Sequence, residues 1–128
     1  MHPNEELLRR EYDAFARGDF QALDEIFDDD VVYHLPGRNP LAGEHRGKEA
    51  VFALFRRDSG DTGGTFRAEL HDVLASDGHA VALNIVSGER GGKVLHGQTV
   101  HVVHVRDGRI VEAWLFPSDQ YANDEFWS

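Results

Sequence analysis

Eight histidines stand in a chain that has no cysteine, so side-chain chemistry here rests on imidazoles, carboxylates and hydroxyls. An imidazole titrates near neutral pH and can take or give a proton without an extreme shift. Two of the eight lie in β-prone runs: His34 within Val31-Val32-Tyr33-His34-Leu35, and His101 within the run from Thr99 to Val105. His96 and His104 have the opposite parity to His101 and point to the other face of its strand, while His2, His45, His71 and His79 fall in termini or loops. No His-x-x-x-His stands on a helix, and His101-x-x-His104 splits across two faces of a strand, so no metal site is expected. The acidic run Asp28 to Asp30 lacks calcium-loop spacing, and Gly63-Gly64 and Gly91-Gly92 read as turns, not phosphate cradles.

The absence of cysteine also removes disulfides, a thiolate nucleophile and Cys-ligated zinc. A formal net charge of -10 opposes phosphate backbones and anionic lipid surfaces alike, which leaves small molecules or further copies of the chain as partners. With 128 residues, 41% of them apolar, one domain over 1–128 with one core is expected. The opening Met-His-Pro-Asn-Glu-Glu has neither a basic nor an apolar targeting segment, and no long apolar stretch follows, so a cytoplasmic location is expected and no membrane contact.

Several elements must position these side chains. Asn4 to Arg17 places Leu8, Tyr12 and Phe15 on one helical face and stops at Gly18. Asp19 caps a short helix carrying Phe20, Leu23, Ile26 and Phe27, and Lys48 to Arg57 carries Val51, Leu54 and Phe55 at helical spacing. Between them the strand Val31 to Leu35 ends at Pro36-Gly37, and the polar loop from Arg38 to Arg46 is placed to lie over a pocket. From Phe66 to Phe116 the period changes to two, giving an antiparallel meander of four strands turned at Asp77-Gly78, Gly91-Gly92 and Asp107-Gly108. Within its first strand, Phe66, Ala68 and Leu70 share a parity that Val73 and Ala75 do not, so a bulge near His71 and Asp72 is expected. Tyr121, Phe126 and Trp127 make the tail aromatic enough to dock on the body. Helices first and strands afterwards give an α+β fold.

Two-residue hairpins fix a register in which Ala82 opposes His101, Asn84 opposes Thr99, His101 opposes Trp114 and Thr99 opposes Phe116. One sheet face then presents Asn84, Thr99, His101, Trp114 and Phe116, a mixture of rings and isolated polar groups suited to a ligand pocket. Its reverse collects Val81, Leu83, Ile85, Val100, Val102, Ala113 and Leu115, too apolar to face water. Helices cover only one side of such a sheet, so an isologous homodimer is expected to cover the other.

The run Phe27-Asp28-Asp29-Asp30-Val31-Val32-Tyr33-His34, with Pro36-Gly37-Arg38-Asn39-Pro40-Leu41-Ala42-Gly43 and Arg46-Gly47, resembles the SnoaL-like segment leading from the second helix into the pocket strand. Asp107-Gly108-Arg109-Ile110-Val111-Glu112-Ala113-Trp114 is similar to that family's last hairpin. The resemblance implies the NTF2-like (cystatin-like) fold, a cone of curved antiparallel sheet packed on N-terminal helices around a pocket. The superfamily holds isomerases, polyketide cyclases, hydrolases, dehydratases and binding proteins, so fold alone does not set the activity. Against its ketosteroid isomerases, the general-base carboxylate falls on His34 and the protonated oxyanion-binding carboxyl on His101. The tyrosine of that oxyanion site falls nearest Glu11, one place from Tyr12, and Asp119 lies near the acid/base aspartate of SnoaL-like cyclases.

Two functions follow as expectations. One is a cofactor-independent isomerase or cyclase moving a proton α to a carbonyl of a small apolar compound, with His34 as base, His101 as donor to the oxyanion and Asp119 as relay. Tyr12, Asn84, Thr99, Trp114 and Phe116 would then contact the substrate. The other is a non-catalytic small-molecule-binding or accessory protein, for which burial of an apolar ligand suffices.

Overall fold

A computed structural model describes all residues from 1 to 128. Helix α1 (Pro3–Arg17) starts where Pro3 occupies the first turn and the His2 ring accepts from the Asn4 amide, and it ends at Gly18, whose φ of 65° takes the left-handed cap. Its buried residues Leu7, Leu8, Glu11 and Ala14 recur at helical spacing, so one carboxylate shares the core face with three apolar side chains. Asp19 caps α2 (Phe20–Ile26) by accepting from the Ala22 amide. Then come β1 (Phe27–Leu35), β2 (Gly43–Arg46), α3 (Lys48–Gly60), β3 (Arg67–Ala75), β4 (His79–Arg90), β5 (Lys93–Arg106), β6 (Arg109–Pro117) and α4 (Gln120–Trp127).

The strands form one six-stranded sheet in the order β2-β1-β6-β5-β4-β3. The meander β3 to β6 is antiparallel, with the expected bulge between Leu70 and Asp72, and both hairpins close as expected, Arg90 opposite Lys93 and Arg106 opposite Arg109. Beside it β1 joins β6 in parallel, and β2 pairs with β1 at the edge. Helices and the concave sheet face enclose a core of 23 residues that includes Leu8, Leu23, Phe27, Tyr33, Phe55 and Val103. Phe27 meets Tyr33, Phe52 and Phe55 at ring-centroid distances of 5.7 to 6.0 Å, in the tilted and edge-on orientations that aromatic quadrupoles favour.

One register differs from the expectation, and the difference relocates side chains. The β5–β6 ladder shifts after His104, which opposes Glu112, while Val105 opposes Ile110, leaving Val111 as an extra residue. An extra residue reverses the inward-outward alternation of everything beyond it. His101 therefore opposes Leu115 and Thr99 opposes Pro117. Leu115 and Ala113 turn inward, and Trp114 and Phe116, expected in the pocket, lie on the outer face, where Phe116 is exposed. The outer face thus carries these two rings in place of Ala113 and Leu115.

Candidate functional site

Between the helices and the concave face lies a pocket with about 120 Å³ of open space, close to the roughly 150 Å³ that accommodates a benzene ring. α1 supplies Glu11, Tyr12 and Phe15, α3 supplies Leu54, Phe55 and Asp58, and the sheet supplies Tyr33, Asn84, Thr99, His101 and Leu115. The loop after β1 and the end of α4 add Asn39, Leu41 and Trp127. That loop is pinned to α4 by one carboxylate: Asp124 accepts from the Arg38 amide at 3.0 Å, the Asn39 side chain at 2.8 Å and the Gln120 side chain at 2.9 Å. Glycine is favoured at this junction, because the φ of Gly37 is 93° and a Cβ there would displace the Gln120 amide and the Asp124 carboxylate.

The polar atoms of the pocket form one connected chain. Asn84 Nδ2 donates to the Tyr12 hydroxyl at 2.6 Å, and that hydroxyl lies 2.9 Å from His101 Nδ1. On the far side of the ring, Nε2 is 3.2 Å from the Tyr33 hydroxyl, which donates to Glu11 Oε1 at 3.3 Å. Burial pushes the His101 imidazole down to about 4, so the ring is neutral at ordinary pH and holds one N–H. With that hydrogen on Nε2 the chain runs in one sense: Asn84 to Tyr12, Tyr12 to His101, His101 to Tyr33, Tyr33 to Glu11. Each hydroxyl then donates once and accepts once.

Two carboxyls in this setting resist ionisation. Glu11 is 4% exposed, and burial, opposed by the Tyr33 hydrogen bond, raises it to about 8. Asp58 is raised to about 7, first by burial and then by Asp61, against a smaller pull from Arg57. Tyr12 and Tyr33 are held well above the ordinary phenol range by burial and by Glu11, and Tyr33 also feels Asp58. A carboxyl near neutrality in an apolar cavity is suited to taking and returning a proton.

Tyr12, Asn84, Thr99 and His101 line this pocket as expected. His34 does not. On β1 it is Tyr33 that opposes Ala113 and points inward, while His34 opposes Trp114 and points outward. Its ring stacks flat on Trp114 at 5.4 Å, with Nε2 2.6 Å from Glu112 and Nδ1 3.7 Å from Glu44. The two imidazoles expected to share one hollow lie on opposite faces of the sheet. Asp119 is also elsewhere: it is exposed at the start of α4, where its carboxylate accepts from the Ala122 amide as a helix cap.

Glu11, Tyr33 and Asp58 take the places that His34 and Asp119 were expected to fill. Two of them carry a signal in the sequence. Glu11 follows Leu7 by four residues and precedes Ala14 by three, and Asp58 follows Leu54 by four and Phe55 by three, so each is an acidic residue on an otherwise apolar helical face.

The SnoaL-like domain model matches residues 8–113 of this chain. The uncharacterized protein Mb0035 of Mycobacterium bovis is 37% identical over 124 residues, which cover 96% of this chain and 95% of that protein. Bal32a, from a soil-derived mobile gene cassette, superposes with a TM-score of 0.96 at 43% identity, covering 98% of this chain and 97% of that one. An NTF2-like protein of Burkholderia xenovorans LB400 gives a TM-score of 0.83 at 20% identity over 98% of this chain and 96% of that one, a likeness of fold.

Proposed function

We propose a proton-transfer function for this chain, which belongs to the SnoaL-like family and has its NTF2-like fold. The pocket acts without a cofactor on a small, mostly apolar carbonyl compound of about one ring in size. Asp58 takes the proton α to the carbonyl and returns it at a neighbouring position, while an N–H of the Asn84 amide, at the end of the polar chain, donates to the oxygen on which charge develops. One observation carries this reading. The Asp58 carboxyl, raised to about 7 and absent from every hydrogen bond and ion pair of the chain, lines the same apolar cavity as the Glu11–Tyr33–His101–Tyr12–Asn84 network.

The test is exchange of α-protons for deuterium in ring-sized ketones, followed by NMR. Exchange above the buffer rate is expected, rising as pH passes through the ionisation of Asp58. Ketones that bind in the pocket and exchange no faster than in buffer would instead indicate a protein that only binds its ligand.

The outer sheet face bears on assembly. Val81, Leu83, Ile85, Val100, Val102 and Trp114 are only half-buried there, Phe116 is exposed, and the helices pack on the other side. We propose that a second copy covers this face in an isologous dimer, in keeping with the residual exposure of so many apolar side chains on one continuous surface. Light scattering at micromolar concentration is expected to give twice the chain mass, and Val102→Glu to reduce it to one; a monomeric wild type would refute the dimer.

A further inference from the structure

One fully buried side-chain polar atom has no partner. Asn84 Oδ1 is buried and accepts no hydrogen bond, although the same amide donates to Tyr12. Asn84 is 4% exposed and lines the cavity. A buried acceptor left open is costly, so its position at the pocket wall points to a ligand group that fills it.

That atom is the free end of the hydrogen-bonded chain, and the other end is Glu11. With Glu11 ionised, Tyr33 must donate to it. The N–H of His101 then lies on Nε2, Tyr12 donates to Nδ1, and Asn84 donates to Tyr12, which leaves Oδ1 without a partner. A protonated Glu11 carries an O–H, and the side chain hydrogen-bonded to this carboxyl is Tyr33. When that O–H donates to Tyr33, every link reverses: Tyr33 donates to Nε2, Nδ1–H donates to Tyr12, and Tyr12 donates onward to Asn84. The amide meets it by a half-turn, which places oxygen toward Tyr12 and nitrogen where the unpartnered oxygen stood. Both arrangements leave each hydroxyl with one donated and one accepted bond. Glu11 is faced by Tyr33 from β1 and, through it, by His101 from β5; Tyr12 adjoins it on α1, Asp58 of α3 acts on Tyr33, and no cation perturbs it.

We propose that Asn84 is the polar anchor of the pocket and that Glu11 sets its polarity through the hydroxyl–imidazole chain, so that the anchor takes a ligand hydroxyl when Glu11 is ionised and a ligand carbonyl when Glu11 is protonated. The ligand is then a ring-sized apolar molecule bearing one oxygen, exchanged between carbonyl and hydroxyl or enol forms. This deepens the proton-transfer reading by naming the end of the substrate that is recognised, yet it concerns binding alone.

Two measurements test it. In the unmutated protein, long-range proton–nitrogen NMR of the His101 ring is expected to show hydrogen on Nε2 at about pH 9.5 and on Nδ1 at about pH 6.5. The same tautomer at both values would overturn the proposal. The second compares cyclohexanone with cyclohexanol, neither of which titrates, in an Asp58→Asn background that removes the other pocket carboxyl. Affinity for the ketone, which can only accept, is expected to fall about tenfold across this interval, while the alcohol changes less than about threefold. Adding Glu11→Gln should abolish the fall, and a fall that persists there would overturn the proposal. Proton exchange could fail with the tautomer switch intact, or succeed without it, so the two readings are separable.

Discussion

Asp58→Asn is expected to lower α-proton exchange by about a hundredfold to ten-thousandfold, the usual contribution of a positioned acid–base group. The substitution keeps the shape of the side chain and removes only its capacity to hold a proton. The carboxyl accepts no internal hydrogen bond and forms no ion pair, so no hydrogen bond or ion pair is lost with its charge. Ligand affinity should therefore stay within a few-fold of wild type, and the loss should fall on turnover. His34→Gln is the matched comparison. Because His34 lies against Trp114, Glu112 and Glu44 on the outer face, exchange in that variant should remain within about twofold of wild type, as for a substitution outside the site. Equal losses in the two variants, or an Asp58→Asn protein that exchanges as fast as wild type, would move the chemistry elsewhere.

The contrast between those two positions shows what the sequence made legible. Helix ends and hairpins were readable because particular residue types mark them: Asp19 as a cap, Gly18 at a left-handed position, Asp107-Gly108 at a turn. The bulge at His71 was readable because the apolar parity changes across it. Val111 offers no such mark. It is a β-branched residue with Ile110 and Glu112, not glycine or proline, on either side, yet its insertion turns Trp114 and Phe116 outward and brings Leu115 in. β1 presents the same difficulty in another form. Val31-Val32-Tyr33-His34-Leu35 is β-prone throughout and has no polar alternation, so only the parallel pairing with β6, a long-range contact, decides that Tyr33 rather than His34 faces the pocket. Fold, pocket and the placement of His101 with Asn84 and Thr99 follow from local signals, whereas the choice between adjacent residues on a strand rests on tertiary register.

Glu11→Gln is expected to stabilise the protein at alkaline pH by on the order of 4 kcal/mol and to remove a downward slope in its stability. Burial raises Glu11 from 4.5 to about 8, so between these values the folded chain holds a proton that the unfolded chain has released. The stability contributed by that proton is complete below the unfolded value and is lost as pH rises through the folded one, at about 1.4 kcal/mol for each pH unit crossed. Asp58, raised from 3.8 to about 7, adds a slope of the same sign that ends near neutrality. His101 opposes both: lowered from 6.5 to about 4, it makes stability increase with pH across that lower interval. Above neutrality Glu11 alone remains, which makes the step from pH 7 to pH 8 its clearest signature. Gln keeps an oxygen to accept from Tyr33 and carries no charge to desolvate, but its amide hydrogens lack a partner, an offset of about 1 kcal/mol that brings the gain below the full linkage value. Urea unfolding at successive pH values measures the difference directly. A Glu11→Gln protein with the same advantage at low and high pH would show that Glu11 is already ionised at neutrality, and the chain of hydroxyls would then have a single fixed sense.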